Sequence, residues 1–339
     1  MKFGLSLSGL LQHTGDGDMV ARFADVVALV RLARELGFDY IYAGQHFLTY
    51  PYQMLQPVAS LARLAAETGD MDLVAIVLMP LVNPVQMAED VATLDVITNG
   101  RVIVAAALGY REEEYRSFGI ARRDRLPRML ETLELAKLLW AGGEVTYEGR
   151  FHSVSGVHIG VRPVQQPHPR IWMAANGDRM VQRIGAMGDV WYLNPHAPHE
   201  TLARQIGLYK QARAEAGHPP ADVLPVARET FVAETRERAF EIAKPFLAAK
   251  YETYARWGQD KALPGGDSFD VGFEELAEGR FVLGGPEDVV RDLQRFKDLG
   301  ATHFSLRFGW PGTPRELVEG AMRLAAAEVF PALRQGHSP

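Results

Sequence analysis

Two hydrophobic periods alternate along this chain. Short, nearly unbroken apolar runs occur at Phe3–Ser8, Tyr40–Ala43, Leu73–Leu78, Val102–Leu108, Arg170–Ala175, Val190–Leu193, Leu224–Val232 and His303–Phe308. Runs of this length with little polar alternation predict strands buried on both faces. Helical stripes lie between most of them. Asp25–Leu36 repeats Val26, Leu29, Val30, Ala33 and Leu36 and stops at Gly37, the spacing of one helix face with a glycine terminator. Pro57–Glu67, Arg128–Trp140, Thr201–Ala216, Thr235–Trp257, Pro286–Leu299 and Arg315–Leu333 carry the same period.

The stretch Ala88–Gly119 shows the repeating unit most plainly. A stripe of Ala88, Val91, Leu94 and Ile97 ends at Asn99-Gly100; the strand Val102–Leu108 follows, and Gly109-Tyr110 opens into Glu112-Glu113-Glu114-Tyr115. A helix closed by Asn-Gly and followed by a buried strand is half of a βαβ unit. Eight strands alternating with helices predict either a closed (β/α)8 TIM barrel or a long doubly wound sheet. The count of eight and the length of 339 residues favour the barrel, as one α/β domain over residues 1–335.

Two segments interrupt the alternation. Residues 142–166 place Val145, Tyr147, Phe151, Val157 and Ile159 between turn residues and read as an inserted β-hairpin. Residues 258–279 are rich in Gly, Asp and Pro, with Phe269 and Phe273 among them. Loops of this length inside a domain are usually functional or disordered, and this one is read as a mobile lid over the barrel mouth.

Composition narrows the function classes. A net charge of −6 gives no basic footprint for nucleic acid and no polybasic strip for anionic membranes. With no cysteine, disulfides, thiolate metal sites and cysteine nucleophiles are excluded, which fits a cytoplasmic location. The start Met1-Lys2-Phe3-Gly4-Leu5-Ser6 lacks the apolar core of a signal peptide and reads as a first strand. Phosphate-loop, nucleophile-elbow and dinucleotide-fingerprint motifs are absent. His196 and His199 flank Pro198 and read as solvent-exposed loop histidines, with no metal site expected.

What remains is a set of polar residues at strand C-termini, where a barrel gathers its chemistry. Gln45-His46-Phe47 follows the second strand, Tyr110-Arg111 the fourth and Asn176-Gly177-Asp178-Arg179 the fifth; Trp191-Tyr192 ends the sixth, Glu229 lies in the seventh and Arg307 ends the eighth. Asn176-Gly177 at a helix start suits an anion, because free N–H groups and the helix dipole converge there. Ordinary capping by Asn176 explains the same residues equally well.

These motifs, in order, resemble the bacterial luciferase-like family of flavin-dependent monooxygenases. The likeness runs through Met1-Lys2-Phe3-Gly4, Gly37-Phe38-Asp39, Gln45-His46-Phe47, Pro84-Val85-Gln86-Met87-Ala88-Glu89-Asp90, Gly100-Arg101, Gly109-Tyr110, Phe118-Gly119, Arg125 with Glu131, Val164-Gln165-Gln166-Pro167, Ile171-Trp172 and Gly284-Gly285-Pro286-Glu287. The resemblance implies a barrel that binds reduced FMN at its C-terminal mouth, supplied by a separate NAD(P)H:flavin reductase, in a homodimer. Relatives that use a deazaflavin for hydride transfer, and relatives that bind flavin without turnover, share the same motifs. It also implies that Ala75-Ile76 is a non-prolyl cis peptide against the isoalloxazine ring. Asn176, Gly177, Arg179 and Arg125 match phosphate contacts; Tyr110, Ala174, Ala175 and Trp191 match flavin-lining positions. His46, with Gln45, is the candidate for the catalytic position; Glu229, Arg307 and Phe47 are candidates for substrate contact. The chain departs from the family where a histidine becomes Gln45, which cannot serve as a general base, and where a phosphate-binding arginine becomes Leu108, leaving Arg111 to reach in its place.

Overall fold

In the computed structural model, which describes residues 1–335, eight parallel strands close into a ring. They are β1 (Lys2–Ser6), β2 (Tyr40–Ala43), β3 (Asp72–Leu78), β4 (Val102–Ala107), β5 (Arg170–Ala175), β6 (Val190–Leu193), β7 (Pro225–Val232) and β8 (His303–Arg307). Each pairs with its predecessor, and β8 pairs with β1, Lys2 opposite His303. The weakest seam joins β6 to β7 through Leu193 and Val226. Beyond it, the free edge of β7 is taken by a further parallel strand, Phe281–Gly284, opposite Glu229–Val232. Only four residues long and set between the loop and Gly285-Pro286, that strand had no visible period.

Alternation along each strand sorts side chains into two layers. On β3, Leu73, Ala75 and Val77 face the helices, whereas Val74 and Ile76 turn to the barrel interior with Ile103, Ala105, Trp172 and Tyr192. The same rule sends Trp191 outward, where its ring lies 5.8 Å from Tyr209 and its Nε1 donates to the Ala175 carbonyl (3.2 Å). Tyr192 therefore turns inward.

Between β2 and β4 the βαβ logic holds closely. The helix Pro84–Ile97 is capped by Asn83, whose Oδ1 accepts from Val85 and Gln86. It ends where Asn99 and Gly100 take φ of 53° and 80°, the left-handed turn that asparagine and glycine tolerate. The first helix starts earlier than its stripe suggested, at Met19, with Asp18 as its cap. Arg22 hid the period. It is buried, donating to the carbonyls of Leu10 (2.8 Å) and Thr313 (3.1 Å). At the C-terminus the expected single helix Arg315–Leu333 is broken into Arg315–Leu324, a π-helical turn Ala325–Val329, and Phe330–Arg334.

Residues 145–148 and 153–157 form an antiparallel pair, and a second small pair, Gln12–Thr14 with Tyr52–Met54, was not visible in the sequence. No helix among the described residues is long and apolar enough to cross a membrane.

The helix Asp178–Met187 packs tightly on His199–Glu215. A Cβ at Gly185 would stand 2.5 Å from the Tyr209 carbonyl oxygen. Gly185→Ala is expected to lower stability by about 1–3 kcal/mol, the usual cost of overpacking. A urea-unfolding midpoint equal to wild type would show that the two helices separate without strain.

Candidate active site

A cavity of about 1080 Å³ opens at the C-terminal end of the barrel strands. Its wall is drawn from the ends of seven strands: Ser8 after β1, Gln45 and His46 after β2, Ile76 and Leu78 of β3, Ala107 to Tyr110 at the end of β4, Ala174 to Arg179 at the end of β5, Tyr192 and Asn194 to His196 at β6, and Arg307 of β8. Tyr254, Gln259, Ala262 and Pro264 close it from the side of the long helix and the loop that follows. A pocket of this size, at the face where βα loops gather, suits a cofactor with a small substrate beside it.

Charge along this wall is lopsided. It carries Arg122, Arg123, Arg125, Arg179, Arg183 and Arg307, but a single carboxylate, Asp178. Asp178 is itself held by Arg204 (2.6 Å) and Gln205 (2.9 Å). Of the five rim arginines, only Arg122 makes an ion pair among the described residues, with Glu112 at 3.6 Å. Burial and the neighbouring Arg122 charge pull the Arg125 guanidinium below its ordinary value, as expected for cations crowded together without counter-charge.

At the same rim the helix Asp178–Met187 begins. Its cap position is Gly177, with no side-chain cap, and a Cβ there would meet nothing within 4 Å. Asn176 is not the cap; its backbone carbonyl accepts from Gln205 Nε2 (2.7 Å). Bare first-turn N–H groups beside unpaired guanidinium groups fit a phosphate-bearing cofactor. Arg125, Arg179, Asn176 and Gly177 are the groups placed to hold one, with Ile76, Ala174 and Tyr110 lining the space beyond.

His46 is built into a buried relay. Glu114 is fully buried, and its Oε1 lies 3.0 Å from His46 Nδ1 and accepts from the Phe47 N–H (2.9 Å). Arg111 supports that carboxylate at 3.6 Å. This network assigns the proton to Nδ1 and leaves Nε2 as the basic nitrogen, 3.5 Å from the Tyr110 hydroxyl. The Tyr254 and Trp257 rings flank the imidazole at 6.4 and 5.7 Å. Glu114 lay in the sequence's acid-rich turn, where nothing separated it from its exposed neighbours Glu112 and Glu113.

A second buried cluster sits behind the cavity. Glu229 accepts from Lys250, from Arg307 Nη1 (3.3 Å) and from Trp310 Nε1 (2.7 Å). Three donors keep the carboxylate ionised and below its usual range despite complete burial;. Burial pushes Lys250 down to about 7, although Glu229 opposes the shift. Burial, reinforced by the charges of Lys250 and Arg307, also holds His196 well below its ordinary value, as a neutral imidazole. Lys250 falls on the same helical stripe as Leu247, Tyr251 and Tyr254, and that was the available signal for its burial.

Several expectations need correction. Ala75 faces the helices, and the Ala75–Ile76 bond is trans; the cis bonds among the described residues are Tyr50-Pro51 and Gln166-Pro167. β3 runs in regular register through that point, Ala75 opposite Val104 and Ile76 opposite Ala105. Trp191 lies outside the barrel, for the alternation described above. Phe47 packs on Phe118 (4.8 Å) away from the cavity, and Glu229 lies behind Arg307 without lining it. Gln45 lines the cavity; its Oε1 accepts the Leu78 N–H (2.9 Å) and its amide bridges to Gln56 (3.4 Å), so it also clasps β2 to β3. Arg111 does not reach the cavity: it is buried against Leu48 O (3.0 Å) and over the Trp257 ring (4.2 Å). His196 is buried at 6 % exposure, with Tyr251 Oη 3.3 Å from its Nδ1, and His199 is half-buried beside Arg295 (3.0 Å); neither is a solvent-exposed loop residue. No group of three or more metal-ligating side chains occurs among the described residues.

The loop at 258–279 is pinned by aromatic rings. Phe269 lies 4.8 Å from Tyr251, and Phe273 lies 5.9 Å from Phe281. Its first part, Gln259 to Pro264, borders the cavity.

Comparison with known proteins agrees with this architecture. The chain is 24 % identical over 330 residues to the oxygenase component of the flavin-dependent trigonelline monooxygenase of Acinetobacter baylyi, covering 92 % of this chain and 90 % of that one. It is 26 % identical over 330 residues to an F420-dependent glucose-6-phosphate dehydrogenase of Kineococcus radiotolerans, covering 89 % and 90 %. Its fold is similar to that of monooxygenase RslO1 from Streptomyces bottropensis, with a TM-score of 0.84, 26 % identity and coverage of 98 % and 100 %. A family model described as luciferase-like monooxygenase matches residues 1–303, and the chain belongs to that family.

Proposed function

We propose that this protein is the oxygenase of a two-component system, taking reduced FMN from a separate NAD(P)H:flavin reductase and using dioxygen to oxygenate a small organic substrate. The observation that carries the reading is the cavity rim, where an uncapped helix start meets guanidinium groups that lack carboxylate partners. The family match and the monooxygenase relatives support it. A reduced flavin bound there would supply the electrons for oxygen activation.

The chain's own residues have distinct tasks in this reading. Arg125, Arg179 and the first-turn N–H groups at Gly177 hold the phosphate. Ile76 and Ala174 form an apolar bed for the ring system, with Ala175 at its rim. His46 holds or releases a proton at Nε2, with Glu114 fixing the tautomer. Gln259 to Pro264 exclude bulk water from the mouth. A second copy of the chain completes a homodimer.

Replacing Arg125 or Arg179 with alanine is expected to weaken FMN binding about tenfold each, since each removes one charge-assisted bond at a solvent-facing rim. Added salt should shrink the loss by screening. Flavin fluorescence titration reads both. Unchanged affinity in both variants would remove the phosphate assignment. The oxygenase reading itself is tested by supplying reduced FMN and following substrate-stimulated oxygen uptake.

The alternative reading is deazaflavin-dependent hydride transfer on the same site. Five rim arginines exceed what one phosphate needs, and F420-dependent relatives match over nearly the whole chain. Parallel titration with FMN and a deazaflavin decides between them by which cofactor binds more tightly.

A further inference from the structure

We propose that the substrate carries a compact anionic oxygen group, a carboxylate or sulfonate, received by Arg307, Asn194 and Tyr192 on the inner wall of the cavity. The inference rests on the flavin reading only in assigning the arginines of the rim to the cofactor. Arg307 ends β8, which stands across the barrel from β4 and so from the rim arginines that follow it.

Two observations carry the assignment. The first is a pair of buried donors without partners. Tyr192 and Asn194 lie two residues apart on one strand and its extension, so both reach the same face, and both line the cavity. The Asn194 Nδ2 is buried with no hydrogen-bond partner among the described residues, and the buried Tyr192 hydroxyl has only Ser305 facing it, with no hydrogen bond between them. Leaving such groups unpaired is unfavourable, and an acceptor-rich ligand would satisfy both. Asn194 is also held in place, because its Oδ1 accepts from the N–H groups of His196 (2.8 Å) and Ala197 (3.2 Å). These two bonds fix the orientation of its amide.

The second observation is the charge balance. Arg307 and Lys250 share one carboxylate, Glu229. Arg307 is steered by the Tyr42 hydroxyl, which accepts from its Nε at 2.9 Å, while its Nη2 makes no hydrogen bond among the described residues. No carboxylate lines this part of the cavity. A guanidinium with an open nitrogen in the same cavity as two neutral donors matches a carboxylate or sulfonate, which can accept several bonds at once;. A neutral isostere would gain the two weaker bonds and lose the ionic one.

The test is calorimetric titration of the FMN-loaded protein with benzoate and methanesulfonate, each against a neutral isostere, benzamide and dimethyl sulfone. The anions are expected to bind at least about tenfold more tightly, as charge-assisted bonds imply. Tyr192→Phe removes only the orphan hydroxyl and should weaken anion binding about five- to tenfold. Asn194→Asp keeps the acceptor that caps His196 and Ala197 and replaces the donor with negative charge; it should weaken anions about thirtyfold or more. Both variants should leave FMN affinity within about twofold, which a general loss of structure would not. Equal binding of anion and isostere, unchanged anion affinity in both variants, or exclusion of the anion by FMN would each overturn the proposal. If the protein takes up no FMN, the flavin reading fails. The same titrations on flavin-free protein, with the same two variants, still decide the anion site.

Discussion

Replacing His46 with alanine is expected to lower turnover by about 10²- to 10⁴-fold, the range for a positioned acid–base group, with flavin affinity changed little. His46 lines the cavity but is separate from the arginine rim, so it should act on kcat rather than on cofactor binding. Glu114→Gln should give a smaller loss. The amide would still accept from the Phe47 N–H, but it would no longer stabilise a protonated imidazole;. The pair therefore predicts a signature beyond lost activity: kcat should fall in both variants, more in His46→Ala than in Glu114→Gln, while flavin affinity stays near wild type. Single-turnover kinetics with reduced flavin supply both readings. An unchanged single-turnover rate in both variants would remove His46 from the chemistry.

The largest effect on stability should come from Glu229→Gln. It strands Arg307 and Lys250 in the barrel without their shared carboxylate, while Trp310 keeps an acceptor. Removing one side of a buried ion pair costs about 3–5 kcal/mol, a large fraction of the margin of about 5–15 kcal/mol of an ordinary domain. Urea unfolding at pH 7 measures it.

The pH dependence has a definite sign. Because the folded-state pKa of Glu229 lies below the ordinary carboxyl value of 4.5, its contribution is present above that value and is lost as pH falls through the folded value. The gap between wild type and Glu229→Gln should therefore close as the solution is acidified below pH 4.5. A constant gap would show that the substitution acts through packing instead.

The strand ladder was legible in the sequence because strands buried on both faces show themselves as apolar runs. Val102–Leu108 against the observed Val102–Ala107 differs by one residue. The Phe281–Gly284 strand was not legible, since it exists only where the short β6 leaves the edge of the longer β7 uncovered. The site divides the same way. Strand-end position correctly brought His46, Tyr110, Asn176, Arg179 and Arg307 to one cavity. It could not tell Trp191 from Tyr192, because a one-residue slip inverts every side chain on a strand.

Periodicity and strand-end chemistry by themselves determined an eight-strand α/β chain, the count and length favouring a barrel over an open sheet, with its polar residues collected at the strand C-termini. Both follow from local patterns in which each residue reports its own environment. Only the tertiary structure decided which groups meet: Glu114 with His46, Glu229 with Lys250 and Arg307, and the unpartnered donors of Tyr192 and Asn194 at the cavity wall. Those pairs span sequence separations of up to 78 residues. Whether a charge is matched or left open depends on what the closed barrel places opposite it, and no local pattern encodes that.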